Sequence, residues 1–244
     1  FLRSVDVVIT ERCSLKCKDC SNLMQYYKRP QNLPSEEILN DFNELSKKVD
    51  HIYEIRLIGG EPFMNKGIYE IIEKLLSSQK ITRLVLYTNG MIPIKEEKIP
   101  LLKDERIVFS ITDYGNLAKN TKGVIETLKK NKVSYKTSPP VNWTESGTIL
   151  PYQDNEDYNQ HLFDMCCGKN LLTLSGGQLY RCPFAANAER LNAIPHNKPS
   201  GVSLNSSTEQ ITSYIKQGDA ISACAYCKGR SFDSPEIEPA IQTK

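Results

Sequence analysis

The sequence predicts an α/β protein built on a parallel sheet, and three observations carry that expectation. Short apolar, β-rich runs alternate with helical patterns through the first half of the chain. Glycine-bearing turns stop those runs, at Gly59-Gly60 and Asn89-Gly90. The alternation then breaks off after Ser138-Pro139-Pro140, where the chain turns polar and turn-rich. Repeated strand–helix alternation implies right-handed crossovers and parallel strands. The sheet can close as a doubly wound open sheet or as a full or partial barrel.

The elements follow in order. Val7-Val8-Ile9-Thr10 reads as a buried strand entered from Val5-Asp6. Ser35 is placed to cap a helix, with Glu36 and Glu37 in its first turn. Ile38, Phe42, Leu45 and Val49 then share one helical face. Ile55-Arg56-Leu57-Ile58 is a second strand, and Ile68, Ile71, Ile72 and Leu75 mark a second helix. Arg83 to Tyr87, Ile107 to Ile111 and Val133 to Lys136 are further strands, with a helix from Gly123 to Lys132. Leu171 to Leu174, Gly176-Gly177 and Gln178 to Arg181 form a β-hairpin pattern. Ser207 to Gln217 reads as a last helix.

Composition narrows the function classes. The 244 residues are 39% hydrophobic and 25% charged, with a net charge of +2. That balance belongs to an ordinary globular protein and gives no case for a nucleic-acid partner. No apolar run approaches a membrane span. Eight cysteines stand out, as Cys13/Cys17/Cys20, Cys166/Cys167/Cys182 and Cys224/Cys227. An even count allows a secreted disulfide framework. Close spacing in a chain of this size points instead to metal or redox chemistry in a reducing compartment, hence a cytoplasmic protein.

Cys13, Cys17 and Cys20 are separated by three and two residues, directly after the first strand. Such a loop lets three thiolates converge on one metal centre. A [4Fe–4S] cubane normally takes four cysteines. Either a distant cysteine closes the site, or one iron stays open for a substrate-like ligand. The loop sits at the carboxyl end of a parallel strand, where such sheets bind ligands. A structural zinc site is the alternative, but zinc prefers paired knuckles with four ligands.

The loop Glu11-Arg12-Cys13-Ser14-Leu15-Lys16-Cys17-Lys18-Asp19-Cys20 resembles the signature of the radical S-adenosylmethionine (SAM) superfamily. Gly59-Gly60-Glu61-Pro62 is similar to that family's second motif. Tyr87-Thr88-Asn89-Gly90 and Ser110-Ile111-Thr112-Asp113 sit where the family contacts SAM. The resemblance covers Val7 to Lys136 and implies a partial (β/α)6 TIM-like barrel. It implies that Cys13, Cys17 and Cys20 hold a [4Fe–4S] cluster whose open iron chelates SAM. Reductive cleavage then gives a 5′-deoxyadenosyl radical that abstracts hydrogen from an unactivated carbon. Gly59, Gly60, Glu61, Pro62, Thr88, Asn89, Ser110 and Asp113 become the cofactor-binding residues. The glycines would allow close backbone approach to the ligand, and Glu61 would meet its ammonium group. One departure is Asp19, where the family carries an aromatic residue near adenine; Tyr26 or Tyr27 is the substitute.

The later cysteines resemble the Twitch or SPASM extension of the same superfamily. The count fits one auxiliary [4Fe–4S] cluster on Cys167, Cys182, Cys224 and Cys227, with a zinc ribbon on the same thiolates as the alternative. Cys166 or Cys167 is then spare. Cys166 is read as either a packed hydrophobe or a hydrogen-atom donor of the kind radical SAM epimerases use.

The expected organisation is a radical SAM core over 1–140, extending to about 165, an auxiliary module over 166–230 and an extended tail over 231–244. The expected function is oxidation or epimerisation of a sugar- or cyclitol-like substrate, with a flavodoxin or ferredoxin as reductant. A peptide-modifying maturase and a non-catalytic iron–sulfur or zinc scaffold are the competing readings. His51, His161 and His196 read as structural or exposed. Tyr180, Arg181, Arg190 and Trp143 are candidate substrate contacts.

Overall fold

The computed structural model describes residues 1–141, 143–195, 199–231 and 234–243. The chain divides into two compact units, Phe1–Leu15 with Pro30–Val141 and Lys16–Arg29 with Asn142–Lys244.

The first unit is the α/β core. Its strands are β1 (Leu2–Thr10), β2 (Ile52–Gly59), β3 (Ile81–Thr88), β4 (Ile107–Thr112) and β5 (Tyr135–Ser138). Its helices are α1 (Ser35–Lys48), α2 (Ile68–Leu76), α3 (Ile99–Leu102) and α4 (Thr121–Lys130). All four strand pairings are parallel, in the order β5-β4-β3-β2-β1, and the run does not close on itself. This is the partial-barrel form of the expected α/β fold. Register puts Val5, Val7, Ile55, Leu57, Leu84, Leu86 and Phe109 on one face, each at 1% exposure or less. Burying each such side chain contributes about 1.5–3 kcal/mol. The opposite face carries buried Val8, Ile58 and Val85 together with Asp6, Arg56, Tyr87, Ser110, Thr112, Lys136 and Ser138.

Two local expectations shift. Ser35 is the first helical residue of α1, not its cap; extended Pro34 holds the cap position without a side-chain bond. Proline is pre-organised for a helix entrance, and Glu36 and Glu37 still face the positive end of the dipole. The fifth strand starts at Tyr135, because Val133 still donates to Leu128 O and Lys132 turns the chain at φ 57°.

The second unit contains α5 (Glu156–Met165), β6 (Thr173–Ser175), β7 (Gln178–Tyr180), α6 (Pro183–Arg190), β8 (Gly201–Ser203) and α7 (Thr208–Lys216). β6 and β7 form the expected hairpin, with Ser175 opposite Gln178. Gly176 and Gly177 have φ of 60° and 75°, the pair of left-handed residues that a two-residue hairpin turn requires. Ser207 caps α7 in a reciprocal box with Gln210, contributing about 1 kcal/mol. The helices α5 and α6 were not legible as periodic runs. α5 is mostly polar and capped by Asn155, whose side chain accepts from Tyr158 N. α6 is short and opens with Pro183.

Candidate active site

The carboxyl ends of β1, β2 and β3 are tied together by main chain and one buried carboxylate. Gly59 has φ +150°, and a Cβ there would lie 2.2 Å from Thr10 O. A Cβ on Gly60 would lie 2.2 Å from Arg12 O and 2.8 Å from Cys13 Cβ. Gly60 N donates to Thr10 O at 3.0 Å and Glu61 N to Arg12 O at 2.7 Å. The two glycines thus let β2 end against the cysteine loop itself. The approach they allow here is of one stretch of protein backbone to another.

Glu61 also departs from expectation. Its side chain is fully buried. Oε1 accepts from the Thr88 hydroxyl at 2.8 Å and from Phe63 N at 3.2 Å, and Oε2 accepts from Asn89 N at 2.8 Å. The carboxylate is therefore a tie between the ends of β2 and β3, not a partner held out for an ammonium group. Burial pushes its pKa up to about 7, against the pull of the Asn89, Thr88 and Phe63 donors. Pro62 is buried and opens the short turn that follows.

Thr88 also accepts from Gly90 N at 3.0 Å. Asn89 Nδ2 donates to Ser14 Oγ at 3.0 Å and lies 3.9 Å from Cys13 Sγ. Thr88 and Asn89 thus order the loop around Cys13. Ser110 is register-paired with Tyr87 and is buried. Asp113 Oδ1 accepts from Gly115 N at 2.9 Å and caps a turn. Replacing Glu61 by alanine leaves buried donors without acceptors, each costing about 1–3 kcal/mol. The expected result is a drop of about 2–4 kcal/mol in urea unfolding. Wild-type stability with SAM binding alone lost would instead make Glu61 a ligand.

The other two thiols of the loop sit in the second unit. Cys17 is buried, and Gln242 Nε2 donates to its sulfur at 3.4 Å. Burial raises the Cys17 thiol, with Gln242 opposing. Cys20 is raised by burial too, while the Met24, Asn22 and Leu23 amides pull it down. Gly147 packs on this stretch; a Cβ there would lie 2.6 Å from the Asp19 carbonyl carbon. The Tyr27 hydroxyl donates to Asn187 Oδ1 at 2.9 Å, and the residue is half-buried. Tyr26 is 39% exposed, and its hydroxyl accepts from Ile149 N at 3.4 Å.

The second constellation is rearranged relative to the sequence reading. Cys166, Cys182, Cys224 and Cys227 line one cavity with Phe163 and Phe184. Cys167 is not among the residues lining it; its N–H donates to Arg230 O at 2.7 Å. The reason is local. Cys166 ends α5 with extended backbone, and its sulfur takes the Gly168 N–H at 3.3 Å. The chain turns directly after Cys166, with Lys169 N reaching back to Cys166 O at 3.5 Å, and Cys167 lies in that turn. Cys182 Sγ accepts from Ala185 N at 3.5 Å and Cys227 Sγ from Gly229 N at 3.2 Å. Backbone N–H groups aimed at cysteine sulfur are the environment of iron–sulfur ligands.

Burial raises Cys182 strongly and pushes Cys224 to about 11 and Cys227 to about 12. Such thiols ionise only with a cation at hand. Arg181, 4% exposed, lines the cavity and lies 5.4 Å over the Phe163 ring, with its guanidinium held by Lys169 O, Tyr214 O, Gln217 O and Asn170 Oδ1. Those bonds commit it to structure rather than to substrate. Among the described residues, no group of three or more His, Cys, Asp and Glu side chains is drawn together tightly enough for a single metal ion. A cubane spreads its cysteines wider, one to each iron. Four thiols lining one cavity are a donor set of the number and kind a cubane takes. All eight cysteines are free thiols, against the disulfide alternative.

His51 Nε2 lies 2.7 Å from Thr82 Oγ1, and its ring stacks on Phe1. His161 is exposed, and His196 lies outside the described residues. Tyr180 is buried with its hydroxyl on Glu189 Oε2 at 3.2 Å. Arg190 ends α6, and Trp143 O accepts from Ile237 N at 2.8 Å. No described helix is long and apolar enough to cross a membrane.

A parallel α/β partial barrel with a cysteine loop directly after its first strand defines a class of iron–sulfur enzyme, and comparison supplies the family. The radical SAM superfamily model matches residues 7–135. The chain belongs to the radical SAM superfamily. It is 28% identical over 221 residues to a GTP 3′,8-cyclase of Helicobacter pylori, spanning 82% of this chain and 68% of that protein. A match to the same enzyme in another H. pylori strain spans only 54% of the relative's length. It is 35% identical over 100 residues to the mitochondrial GTP 3′,8-cyclase of Arabidopsis thaliana, or 40% of this chain and 25% of that one. Among solved structures, BtrN in complex with AdoMet and 2-DOIA matches with a TM-score of 0.59 at 15% identity, covering 94% of both chains. Native anSMEcpe with bound AdoMet matches with a TM-score of 0.58 at 14% identity, covering 92% of this chain and 83% of that one.

Proposed function

We propose that the protein is a radical SAM oxidase of a small hydroxylated substrate, with two [4Fe–4S] clusters. Cys13, Cys17 and Cys20 would hold the cluster that binds SAM. Cys166, Cys182, Cys224 and Cys227 would hold the auxiliary one. When bound and reduced, the first cluster supplies the electron that splits SAM into methionine and a 5′-deoxyadenosyl radical. Gly59, Gly60 and the Glu61 tie hold the loop around Cys13 against the end of β2. Ser110, at the carboxyl end of β4, remains the candidate SAM contact.

The observation that carries the reading is the cavity lined by four cysteines. Four thiolates satisfy a cubane, so this site has no iron left over for substrate. Oxidising a carbinol removes one hydrogen atom, then one proton and one further electron. The radical takes the hydrogen atom, the hydroxyl proton passes to solvent, and the four-cysteine site would hold the acceptor for the electron. Assigning Cys166 to that site also removes it as a hydrogen-atom donor, which weakens the epimerase alternative. The sheet face that carries Ser110 also carries the neutral groups Tyr87, Thr112 and Ser138, suited like it to hydroxyls, beside the cation Lys136 on β5. Arg56, on β2, is committed to Asp6 at 2.6 Å and to Ser4 Oγ at 3.0 Å. A reducing compartment such as the cytoplasm, and a flavodoxin or ferredoxin as electron source, complete the proposal.

A second reading takes a purine nucleotide as substrate. It is favoured by the 28% identity to a GTP 3′,8-cyclase over 82% of the chain. Anaerobically reconstituted protein given dithionite, SAM and a panel of cyclitols, sugars, GTP and peptides separates these readings. The expected result is 5′-deoxyadenosine formed with a polyol that loses two hydrogens, and no solvent deuterium in the product. Turnover of GTP alone favours the second reading, and peptide turnover a maturase. No SAM cleavage at all overturns both.

A further inference from the structure

Residues 240–243 lie against the cysteine loop more than two hundred positions earlier in the sequence. Gln242 forms an antiparallel bridge with Cys17. Lys18 N donates to Ile241 O at 2.7 Å, and Thr243 N donates to Lys16 O at 2.6 Å. The Thr243 hydroxyl reinforces the second contact at 3.1 Å. The Gln242 side chain then works in two directions. Its Oε1 accepts from Lys16 N at 2.8 Å, and its Nε2 donates to Cys17 Sγ at 3.4 Å. Nε2 also reaches Ala240 O at 2.6 Å, which fixes the rotamer. Ala240 is 2% exposed and has φ 58°, so the segment turns sharply into the bridge and is packed there.

The chemistry of this contact is specific. A loop that must hold thiolates cannot also form regular structure, so its N–H and C=O groups need partners from elsewhere. The segment satisfies both residues flanking Cys17. An amide N–H on a thiolate sulfur draws off charge, stabilises the more negative reduced cluster and raises its potential. Cys13 has the Asn89 amide nearby and Cys20 a set of backbone amides, so Gln242 supplies the equivalent donor for Cys17.

We infer that residues 240–243 are a strap on the SAM-cluster loop, and that Gln242 is a positioning residue whose amide tunes the cluster through Cys17. The inference rests on the reading of Cys17 as a ligand of the SAM cluster. Three variants of the full chain test it: Gln242→Met, which removes donor and acceptor; Gln242→Glu, which keeps the acceptor for Lys16 N but replaces the donor with a charge; and Gln242→Asn.

Each is reconstituted anaerobically, assayed for iron and sulfide, and titrated by EPR for the midpoint potential of the SAM cluster. The expected result is wild-type iron in Gln242→Glu with a clearly lower potential. Gln242→Met should lower the potential and also release iron to a chelator several-fold faster. Gln242→Asn, one methylene shorter, should fall nearer to Gln242→Met than to wild type. Wild-type potentials in Gln242→Glu and Gln242→Met overturn the inference while leaving the two-cluster reading intact. Wild-type protein with no SAM-perturbed cluster signal overturns the reading on which the inference rests.

Discussion

Cys166→Ala is expected to lose the auxiliary cluster, while Cys167→Ala keeps it. The two residues are adjacent, yet Cys166 lines the four-thiol cavity and Cys167 is not among its lining residues. In the Cys166 variant the reconstituted iron should fall by about half, since a three-thiolate site with raised thiol pKa values holds a cubane poorly. SAM cleavage should persist, because the first cysteine loop is untouched, but oxidised product should drop by about 100-fold for want of an electron acceptor. Iron and sulfide counting beside separate assays of 5′-deoxyadenosine and oxidised product distinguishes these outcomes. A Cys167 variant that loses iron while the Cys166 variant keeps it would restore the ligand set expected from spacing alone.

Gly60→Ala should disable the SAM cluster and leave the auxiliary one in place. The added Cβ lands 2.2 Å from Arg12 O, which is main chain and cannot rotate away. Relieving that overlap means displacing Arg12 and Cys13, at a cost of about 1–3 kcal/mol or more. Gly59→Ala adds backbone strain to a similar overlap with Thr10 O, since its φ is +150°. Both variants should retain auxiliary iron and lose SAM cleavage. Gly123→Ala serves as the control: it lies in α4 with nothing within 4 Å of its would-be Cβ. There, helix propensity should raise stability by about 0.5–1 kcal/mol without touching activity. Wild-type SAM cleavage in Gly60→Ala would mean that the loop tolerates a shift its geometry forbids.

The parts of the fold legible in sequence were those with strong periodicity. β1 to β4 are apolar runs, β2 and β3 closed by Gly59-Gly60 and Asn89-Gly90, and α1 and α2 present clean apolar faces. α5 and α6 were hidden because their signals are weak: a polar surface helix in one case, eight residues of mixed character in the other. The cysteine clusters were legible as chemistry but not as a ligand set. Spacing could not tell Cys166 from Cys167, since that choice depends on where α5 stops and how the next residue turns. Glu61 was legible as part of a motif but not as a buried tie, because its three donors come from main chain and from a threonine on another strand. Gln242 carried no signal at all. Only the fold brings it to Cys17.

The most direct test is the metal content and SAM cleavage of a variant with Cys13, Cys17 and Cys20 all changed to alanine. Wild-type protein should hold two cubanes and make 5′-deoxyadenosine from SAM under reduction. The triple variant should hold one cubane, on Cys166, Cys182, Cys224 and Cys227, and make none. A triple variant that still cleaves SAM, or whose metal content equals that of the wild type, would contradict the account.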